Sequence, residues 1–392
     1  MSLNQTPSGE RLHIGIFGRR NAGKSSLINA LTGQELSIVS EIAGTTTDPV
    51  KKAMELFPLG PVIITDTAGY DDVGELGEKR VEKTLRVLSF ADIAVLVIDG
   101  TAGFSKEDEE MLDTIKKRGI PHIIVYTKSD LGILKQTHNG VLVSAESGEG
   151  IELLKKTLGE IKPRKNEKYI VADLLEAGDT VILVIPIDES APKGRLILPQ
   201  QQTIRELLDF RCTAICCQPE EVGDVLLSLK KPPKLVITDS QAFKQVAQSI
   251  PEEIMLTSFS ILFARYKGDL QTLVKGADVL NNLTDSDKIL ISEGCTHHRQ
   301  CGDIGSVKIP RLISRHSGSN PSLEFSSGND FPSDLSRFSL VIHCGGCMLN
   351  ESEMHRRMSL AASQGVPMVN YGVALACMNG ILERSLKPFL KI

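Results

Sequence analysis

The segment at residues 18–25 has the residue types and the spacing of a phosphate-binding loop. In order, it reads Gly18, Arg19, Arg20, Asn21, Ala22, Gly23, Lys24 and Ser25. The glycines allow backbone N–H groups to close around phosphate oxygens, Lys24 can reach the terminal phosphates, and the Ser25 hydroxyl can bind Mg2+. An apolar run precedes the segment and a helix-like stretch that includes Ser26 follows it, as the motif requires. We therefore predict a nucleoside-phosphate site here, with the helix dipole favouring the anion.

Two further segments supply what a phosphate site with Mg2+ needs. Asp66 and Gly69 lie in an Asp-Thr-Ala-Gly sequence after an apolar run, so that the carboxylate can hold Mg2+ and the Gly69 N–H can meet the terminal phosphate. Residues 44–48, which include Thr46, lie in the preceding loop and are a natural place for a nucleotide-sensing switch. The expected catalytic residues are therefore Lys24, Thr46, Asp66 and Gly69, and the expected Mg2+ ligands are Ser25, Thr46 and Asp66.

Base recognition is predicted at two later segments. Thr127, Lys128 and Asp130 follow the fourth apolar run, and the Asp130 carboxylate could pair with the N1 and N2 hydrogens of guanine. Ser144 and Ala145 follow the fifth apolar run, where a backbone N–H could meet guanine O6.

In this order and spacing, the segments over residues 8–162 resemble the translation-factor-related small GTPases, especially the Era and TrmE branch. The resemblance implies GTP and GDP as ligands. Thr127 stands where that family usually has Asn, which we expect to weaken binding of the base. Tyr70 stands where Ras-like enzymes have a water-orienting Gln, so slow intrinsic hydrolysis is expected. Asn21 matches the Asn that helps to bind K+ in the TrmE branch, which implies K+-stimulated hydrolysis; a simple polar loop residue is the alternative.

Apolar runs alternate with amphipathic stretches along most of the chain, which predicts an α/β fold with parallel sheets. We expect a P-loop GTPase domain at 1–165 and two further α/β domains at 166–266 and 267–392, with a charged linker near 162–168. The residues between 314 and 332 are rich in Ser, Gly, Asn and Pro and are predicted to be turns and loop. The predicted strands are 12–17, 62–65, 93–98, 122–126, 141–143, 181–185, 214–217, 235–238, 254–257, 289–291, 340–342 and 368–369.

Composition narrows the function further. The chain of 392 residues carries a net charge of -5, which argues against a protein that coats nucleic acid by neutralising its phosphates. It contains no Trp and only 5 Tyr, which argues against a protein that binds nucleic acid by stacking on the bases. No apolar run approaches the roughly 18 residues of a membrane span, and the N-terminus has no apolar core of a secretory signal. We therefore expect a cytoplasmic protein with neither a nucleic-acid nor a membrane partner.

Two cysteine clusters lie in the C-terminal third of the chain. Cys295 and His297 follow one predicted strand; His343, Cys344 and Cys347 follow another about 45 residues later. Because ligand crevices form beyond the carboxyl ends of strands in α/β sheets, the two clusters can converge. Three thiolates with nearby imidazoles suit either zinc or an iron–sulfur cluster, and residue types alone do not separate the two.

The remaining cysteines have simpler interpretations. Those near the predicted strand 214–217 are expected to be buried in the core, and Cys301 and Cys377 are weaker candidates for the metal site. The core group comprises Cys212, Cys216 and Cys217.

A small GTPase followed by a CxH and an HCxxC motif resembles HydF, the family of GTPase maturation factors of FeFe-hydrogenases, over the whole chain. The resemblance implies that Cys295, Cys344 and Cys347 bind a 4Fe-4S cluster, with His297 or His343 near or at an exchangeable fourth position. It further implies a scaffold that receives a transient diiron unit from radical-SAM maturases and delivers it to apo-hydrogenase. The middle domain is expected to form a homodimer, and the nucleotide state to regulate partner association.

Two other functions remain open at this point. One is an RNA- or ribosome-associated GTPase with a zinc-stabilised C-terminal domain, which the acidic pI disfavours. The other is a redox enzyme that uses a metal cluster, although the sequence has neither a radical-SAM CxxxCxxC motif nor a dinucleotide fingerprint.

Overall fold

The chain is described by a computed structural model over residues 8–33, 50–57, 59–70, 75–132, 135–161, 168–187, 196–294, 303–328 and 330–390. It forms two compact units, Met1–Asn166 and Glu167–Ile392. Within the described residues, no helix is both long and apolar enough to cross a membrane.

The first unit is built on a six-stranded sheet with the order β2-β3-β1-β4-β5-β6. Its strands are β1 (Leu12–Phe17), β2 (Val50–Leu56), β3 (Gly60–Asp66), β4 (Ile93–Asp99), β5 (His122–Thr127) and β6 (Val141–Leu142). Its helices are α1 (Lys24–Thr32), α2 (Glu75–Phe90), α3 (Lys106–Lys117) and α4 (Ile151–Glu160). Apolar clusters fill both faces of the sheet, which explains why β1 and β4 are almost continuously apolar.

One strand of this sheet was not expected from the sequence. β2 runs antiparallel to β3 at the edge of an otherwise parallel sheet. Its sequence includes Lys51, Lys52 and Glu55, and the side chains of residues 51–55 alternate between exposed and partly buried positions. An edge strand with one solvated face needs no continuous apolar run, and charged side chains protect such an edge from pairing with other chains.

The second unit contains two parallel four-stranded sheets. The first has the order β10-β9-β7-β8 and the second has the order β12-β11-β13-β14. The first sheet and its helices are β7 (Thr180–Val184), α5 (Leu198–Asp209), β8 (Thr213–Cys217), α6 (Val222–Ser228), β9 (Leu235–Thr238), α7 (Phe243–Ser249), β10 (Met255–Ser258) and α8 (Phe259–Lys267). The second sheet and its helices are α9 (Leu270–Ala277), β11 (Lys288–Glu293), α10 (Ile309–Ser317), β12 (Ser322–Ser327), β13 (Leu340–His343), α11 (Glu351–Ser363), β14 (Met368–Asn370), α12 (Tyr371–Met378) and α13 (Leu382–Leu386).

The two sheets share one hydrophobic core. A single apolar cluster includes Ile182 and Val236 from the first sheet, Ile289 and Ile342 from the second, and most of α12. Because α12 is apolar on all sides, it must be enclosed rather than lie on a surface. The residues predicted as two further domains therefore form two sheets within one compact unit.

Two sequence-based expectations in this unit were wrong. Residues 314–332 are not all turn and loop, because β12 lies within them and pairs with β11 from Ser322 to Ser327. This edge strand is rich in serine, and long-range pairing rather than local composition makes it a strand. Cys216 is exposed, whereas Cys212 and Cys217 are buried as expected. Consecutive residues of a strand face opposite sides, so Cys216 and Cys217 cannot share one environment.

Candidate functional site

The predicted phosphate loop connects β1 to α1. Asn21 and Gly23 have positive φ angles, and a Cβ on Gly18 would lie 2.5 Å from the Val97 carbonyl oxygen, so this close approach requires glycine. The Lys24 ammonium donates hydrogen bonds to the carbonyl oxygens of Gly18 (2.8 Å) and Arg19 (2.7 Å). The lysine is therefore held inside the curve of the loop that the sequence predicted.

Two of the predicted Mg2+ ligands, Ser25 and Asp66, are brought together at the end of β3. The Ser25 hydroxyl donates a hydrogen bond to Asp66 Oδ2 at 2.8 Å. Asp66 Oδ1 is buried and has no hydrogen-bond partner among the described residues. Burial raises the pKa of Asp66, while the Ser25 hydroxyl and Lys24 oppose that rise. A buried carboxylate oxygen beside a hydroxyl is a donor set that fits Mg2+, a cation that binds oxygen ligands.

Gly69 and Thr46 are the other two predicted catalytic residues. Gly69 lies three residues after Asp66, in a segment that is anchored at its start because the Thr67 hydroxyl donates to the Ile16 carbonyl oxygen (2.7 Å). The Thr84 hydroxyl donates to the carbonyl oxygen of Ala68 (3.2 Å), which ties the same segment to α2. Thr46 lies outside the described residues.

The predicted base-recognition segments lie together at the ends of β5 and β6. The Ser129 N–H donates to the Val143 carbonyl oxygen (3.2 Å), which joins the segment of Thr127–Asp130 to that of Ser144 and Ala145. Lys128 adopts a left-handed conformation, and its ammonium lies 2.5 Å from an Asp99 oxygen. Burial opposes ionisation of Asp99, but hydrogen bonds from Lys128 and Thr101 hold its pKa down to about 2. Asp130 is exposed at the protein surface.

Thr127 connects the base-recognition segment to the phosphate loop. Its hydroxyl donates to the Ala22 carbonyl oxygen at 2.7 Å and lies 3.1 Å from the Ile98 carbonyl oxygen. The side chain is fully enclosed. Thr127, which stands in place of the usual Asn, therefore still joins the base-recognition segment to the phosphate loop.

We expect Thr127→Val to weaken binding of both GDP and GTP by about 10-fold, because the buried Ala22 carbonyl oxygen would lose its donor. Equilibrium titration with fluorescent nucleotides measures the change. Thr127→Ser retains the hydroxyl and serves as the control. Unchanged affinity in the valine variant would contradict this role for the hydroxyl.

The second predicted site is the loop that follows β13. Cys344 Sγ accepts hydrogen bonds from the N–H groups of Gly294 (3.0 Å) and Gly346 (3.4 Å). Gly294 directly precedes Cys295. The backbone next to the first cysteine cluster therefore contacts Cys344 of the second cluster. Burial raises the pKa of Cys344 to about 11, so that the metal-free thiol keeps its proton. Cys295 and His297 themselves lie outside the described residues.

His343 is fully buried, and both of its ring nitrogens have partners. Nδ1 lies 2.7 Å from the Cys344 carbonyl oxygen, and Nε2 lies 2.9 Å from an Arg357 nitrogen. A guanidinium group only donates, so Nε2 is the acceptor and Nδ1 carries the proton. Burial, reinforced by Arg357, lowers the His343 pKa to about 3. In this arrangement the imidazole braces the cysteine loop and presents no free ring nitrogen to a metal.

Two buried cations around this loop were missed by sequence reasoning. Arg357 donates to Glu353 Oε1 (2.7 Å) and to the Gly328 carbonyl oxygen (2.6 Å), in addition to His343. Lys267 donates to the carbonyl oxygens of Cys347 (3.0 Å) and Leu349 (2.8 Å). The only local signal was the four-residue spacing of Glu353 and Arg357, which is equally typical of an exposed helical ion pair.

Glu293 is a carboxylate at this end of the sheet. It is buried at the end of β11, where the Tyr371 hydroxyl donates a hydrogen bond to Glu293 Oε1 at 3.4 Å. Among the described residues, no group of three or more His, Cys, Asp or Glu side chains is placed to hold a metal ion. The two described thiols and their N–H···S contacts fit part of a cysteine-ligated site, either zinc or iron–sulfur.

The sheet, the phosphate loop and the Ser25–Asp66 pair define the first unit as a P-loop GTPase domain. A family model described as "50S ribosome-binding GTPase" matches residues 13–128. The tRNA modification GTPase MnmE of Chromobacterium violaceum is 36% identical over 159 residues, covering 39% of this chain and 35% of that protein. GTPase Der of Kosmotoga olearia is 39% identical over 141 residues, covering 35% of this chain and 31% of that protein. The chain thus spans about a third of the length of these relatives.

A solved structure of an Era variant from Aquifex aeolicus, bound to GDP and aluminium fluoride, aligns over 60% of this chain and 97% of that chain. The identity is 21% and the TM-score is 0.32.

The second unit identifies the family. A family model described as "Hydrogen maturase F dimerization domain" matches residues 170–268, and one described as "Hydrogen maturase F tetramerization domain" matches residues 271–388. The chain belongs to the hydrogen maturase F (HydF) family. This confirms the resemblance seen in the sequence and the predicted GTPase, and it identifies the second unit as a pair of oligomerisation domains.

Proposed function

We propose that this chain is a cytoplasmic, GTP-regulated scaffold for maturation of FeFe-hydrogenase. It would hold a 4Fe-4S cluster through Cys295, Cys344 and Cys347, receive a diiron unit from radical-SAM maturases and deliver it to apo-hydrogenase. The observation that carries the proposal is the 3.0 Å contact between Gly294 N and Cys344 Sγ, which brings two segments 50 residues apart to one point. Membership in the HydF family supports the same assignment.

The protein contributes a prepared loop to this cluster. When bound, a 4Fe-4S cluster on three thiolates supplies one iron that is open to a further ligand. The N–H groups of Gly294 and Gly346 stabilise negative charge on Cys344 Sγ. Lys267 holds the Cys347 carbonyl oxygen, and His343, itself held by Arg357, holds the Cys344 carbonyl oxygen. The loop can thus keep its shape while a ligand is exchanged.

Anaerobic reconstitution with iron and sulfide tests the scaffold directly. Variants in which Cys295, Cys344 or Cys347 is changed to Ser are expected to lose bound iron and activation of apo-hydrogenase, while GTP turnover persists. Cys377→Ser is the control because the thiol of this half-buried cysteine donates to the Ala277 carbonyl oxygen at 3.8 Å. A colourless preparation that contains zinc instead of iron would favour the ribosome- or RNA-associated alternative.

GTP hydrolysis would be phosphoryl transfer to water, driven by positioning and charge stabilisation. Lys24 would bind the terminal phosphates, Ser25, Thr46 and Asp66 would hold Mg2+, and the Gly69 N–H would meet the terminal phosphate. Lys128 and Asp130 hold guanine. We infer that the nucleotide state regulates partner association, which requires partners to bind the two conformations with different affinities. Equal partner affinity with GTP, GDP and no nucleotide would contradict this inference.

Hydrolysis is expected to be at least about 10-fold faster in K+ than in Na+ at equal ionic strength, because a cation held at Asn21 would offset developing phosphate charge. Asn21 is exposed and has a φ of 59°, a conformation that Asn tolerates. Asn21→Gly keeps this backbone conformation and should abolish the difference between the cations. Equal turnover of the unmodified protein in both salts would refute K+ activation.

For dimerisation, the sheet of the middle region has one edge, at β8, along which no further strand pairs in the described part of the chain. At its other edge, β10 packs against α13 and the short helix Lys387–Phe389. β8 is the outer strand and is mostly exposed or partly buried. We propose that β8 pairs with β8 of a second copy across a two-fold axis, which makes the pairing antiparallel. β12 holds the equivalent edge position in the second sheet, and we infer a similar role for it between dimers.

Cys216→Pro is expected to remove the contact through β8 and so to halve the number of copies in the assembly, as measured by sedimentation velocity. The Thr213 N–H donates toward β7, to the Asp179 carbonyl oxygen, so by alternation the Cys216 N–H points to the open edge. Proline removes this outward donor and leaves the inner ladder intact. Cys216→Val keeps the donor and should have the same oligomeric state as the unmodified protein. A proline variant with that same oligomeric state would exclude β8 as the dimer edge.

A further inference from the structure

Asp108 is a fully buried carboxylate in the first turn of α3, and it has more partners than a helix cap requires. It accepts a hydrogen bond from the Ser105 N–H (2.8 Å), and Ser105 Oγ in turn caps the Asp108 N–H (3.3 Å). The same carboxylate forms an ion pair with Arg19 Nε (3.0 Å) and accepts a hydrogen bond from the Tyr70 hydroxyl (2.5 Å). Capping alone would leave such a group at the surface, so its burial needs a further explanation.

The two additional partners come from the two segments that surround the phosphates. Arg19 is the second residue of the phosphate loop, and its Nη2 also donates to the Gly103 carbonyl oxygen at 3.1 Å. Tyr70 directly follows Gly69, and its ring packs against the apolar cluster on this face of the sheet. Both side chains are thereby directed to α3 through one carboxylate.

Tyr70 cannot move independently of Gly69. Successive Cα atoms are only about 3.8 Å apart, so a shift of the Gly69 N–H toward a terminal phosphate displaces Tyr70 as well. The Tyr70–Asp108 hydrogen bond is therefore a contact whose strength depends on the position of the segment that senses this phosphate. A ligand shifts such an equilibrium only through its different affinity for the two conformations.

We propose that Asp108 is a positioning residue that couples Arg19 and Tyr70 to α3 and sets the preference of the site between nucleoside diphosphate and nucleoside triphosphate. The bond to Tyr70 holds the segment after Asp66 in the arrangement seen here, and binding of a terminal phosphate breaks it. The inference rests on the proposed nucleotide switch, but it is independent of the iron–sulfur cluster. Breaking the bond by mutation should favour the triphosphate state.

The test is Tyr70→Phe, which removes the hydroxyl and keeps the ring. We expect the affinity for a fluorescent non-hydrolysable GTP analogue, relative to fluorescent GDP, to rise about 10-fold in the presence of Mg2+. Asp108→Asn should shift the ratio in the same direction. Tyr126→Phe is the matched control. Tyr126 is a buried tyrosine of the same apolar cluster, and its hydroxyl is hydrogen-bonded to the backbone N–H and carbonyl oxygen of His138 instead of to Asp108.

The ratio of the two affinities separates coupling from mere packing. If Tyr70 were only structural, its variant would lose thermal stability or bind both nucleotides equally more weakly, and the ratio of the two affinities would not change. An unchanged ratio overturns the proposal. Failure of the wider proposal looks different. If the unmodified protein binds its partners with the same affinity in GTP, in GDP and without nucleotide, nucleotide-regulated association is refuted, whatever ratio the Tyr70 variant gives.

Discussion

Arg357→Met should lower the free energy of unfolding of the chain by about 3 kcal/mol, one of the largest effects expected from any single substitution outside the nucleotide site. Arg357 is fully buried and donates to Glu353, to the Gly328 carbonyl oxygen and to His343. Methionine fills much of the volume but has no donor. The substitution therefore leaves a buried carboxylate, a carbonyl oxygen and an imidazole nitrogen without this partner.

Urea-induced unfolding followed by circular dichroism measures this loss. Arg356→Met is the matched control: Arg356 binds the same Glu353 at 2.7 Å but is partly exposed, so its loss should cost less than about 1 kcal/mol. The Arg357 variant should also bind less iron on reconstitution, because His343 would no longer be braced against the cysteine loop. Equal stabilities of the two variants would show that burial does not distinguish the two arginines.

Asp66→Asn should reduce kcat/KM for GTP by about 10²- to 10³-fold. The amide has nearly the same shape as the carboxylate but lacks the negative charge that, in the proposed site, would hold Mg2+ beside the transferred phosphate. The Ser25 hydroxyl could still bond to the amide oxygen at the position of Oδ2, so local structure should be preserved. The loss should therefore appear in turnover and in the Mg2+ dependence rather than in stability.

Phosphate release measured over a range of Mg2+ concentrations tests this expectation. Asp92→Asn is the control, because Asp92 lies in the same unit and accepts a hydrogen bond from the His13 N–H instead of facing the phosphate loop. It should keep turnover within about twofold of the unmodified protein. Full Mg2+-dependent activity in the Asp66 variant would remove this carboxylate from the metal site.

Contiguous motifs were the most predictable part of this protein. Residues 18–25 form a phosphate loop because the chemistry depends on neighbours in sequence: glycines where the backbone must turn tightly and a lysine that reaches back over the loop. The buried central strands, such as β1 and β4, were equally clear because continuous apolar runs that alternate with helices require a covered parallel sheet. The order of these segments also indicated the GTPase class.

Long-range contacts decided what the local pattern left open. β2 and β12 lie at sheet edges, where solvated faces require no apolar pattern, so pairing with β3 and β11 defines them. The sequence marked His343 as a candidate ligand, yet its partners make it a brace of the cysteine loop.

The roles of the buried charges likewise followed only from tertiary structure. Arg357, Lys267 and Asp108 resemble ordinary surface charges in the sequence, because their environment comes from residues far along the chain. Sequence by itself determined which chemical groups are available and which of them are neighbours. Tertiary structure decided which groups are buried together, and burial is what makes hydrogen bonds and charges strong enough to position a site.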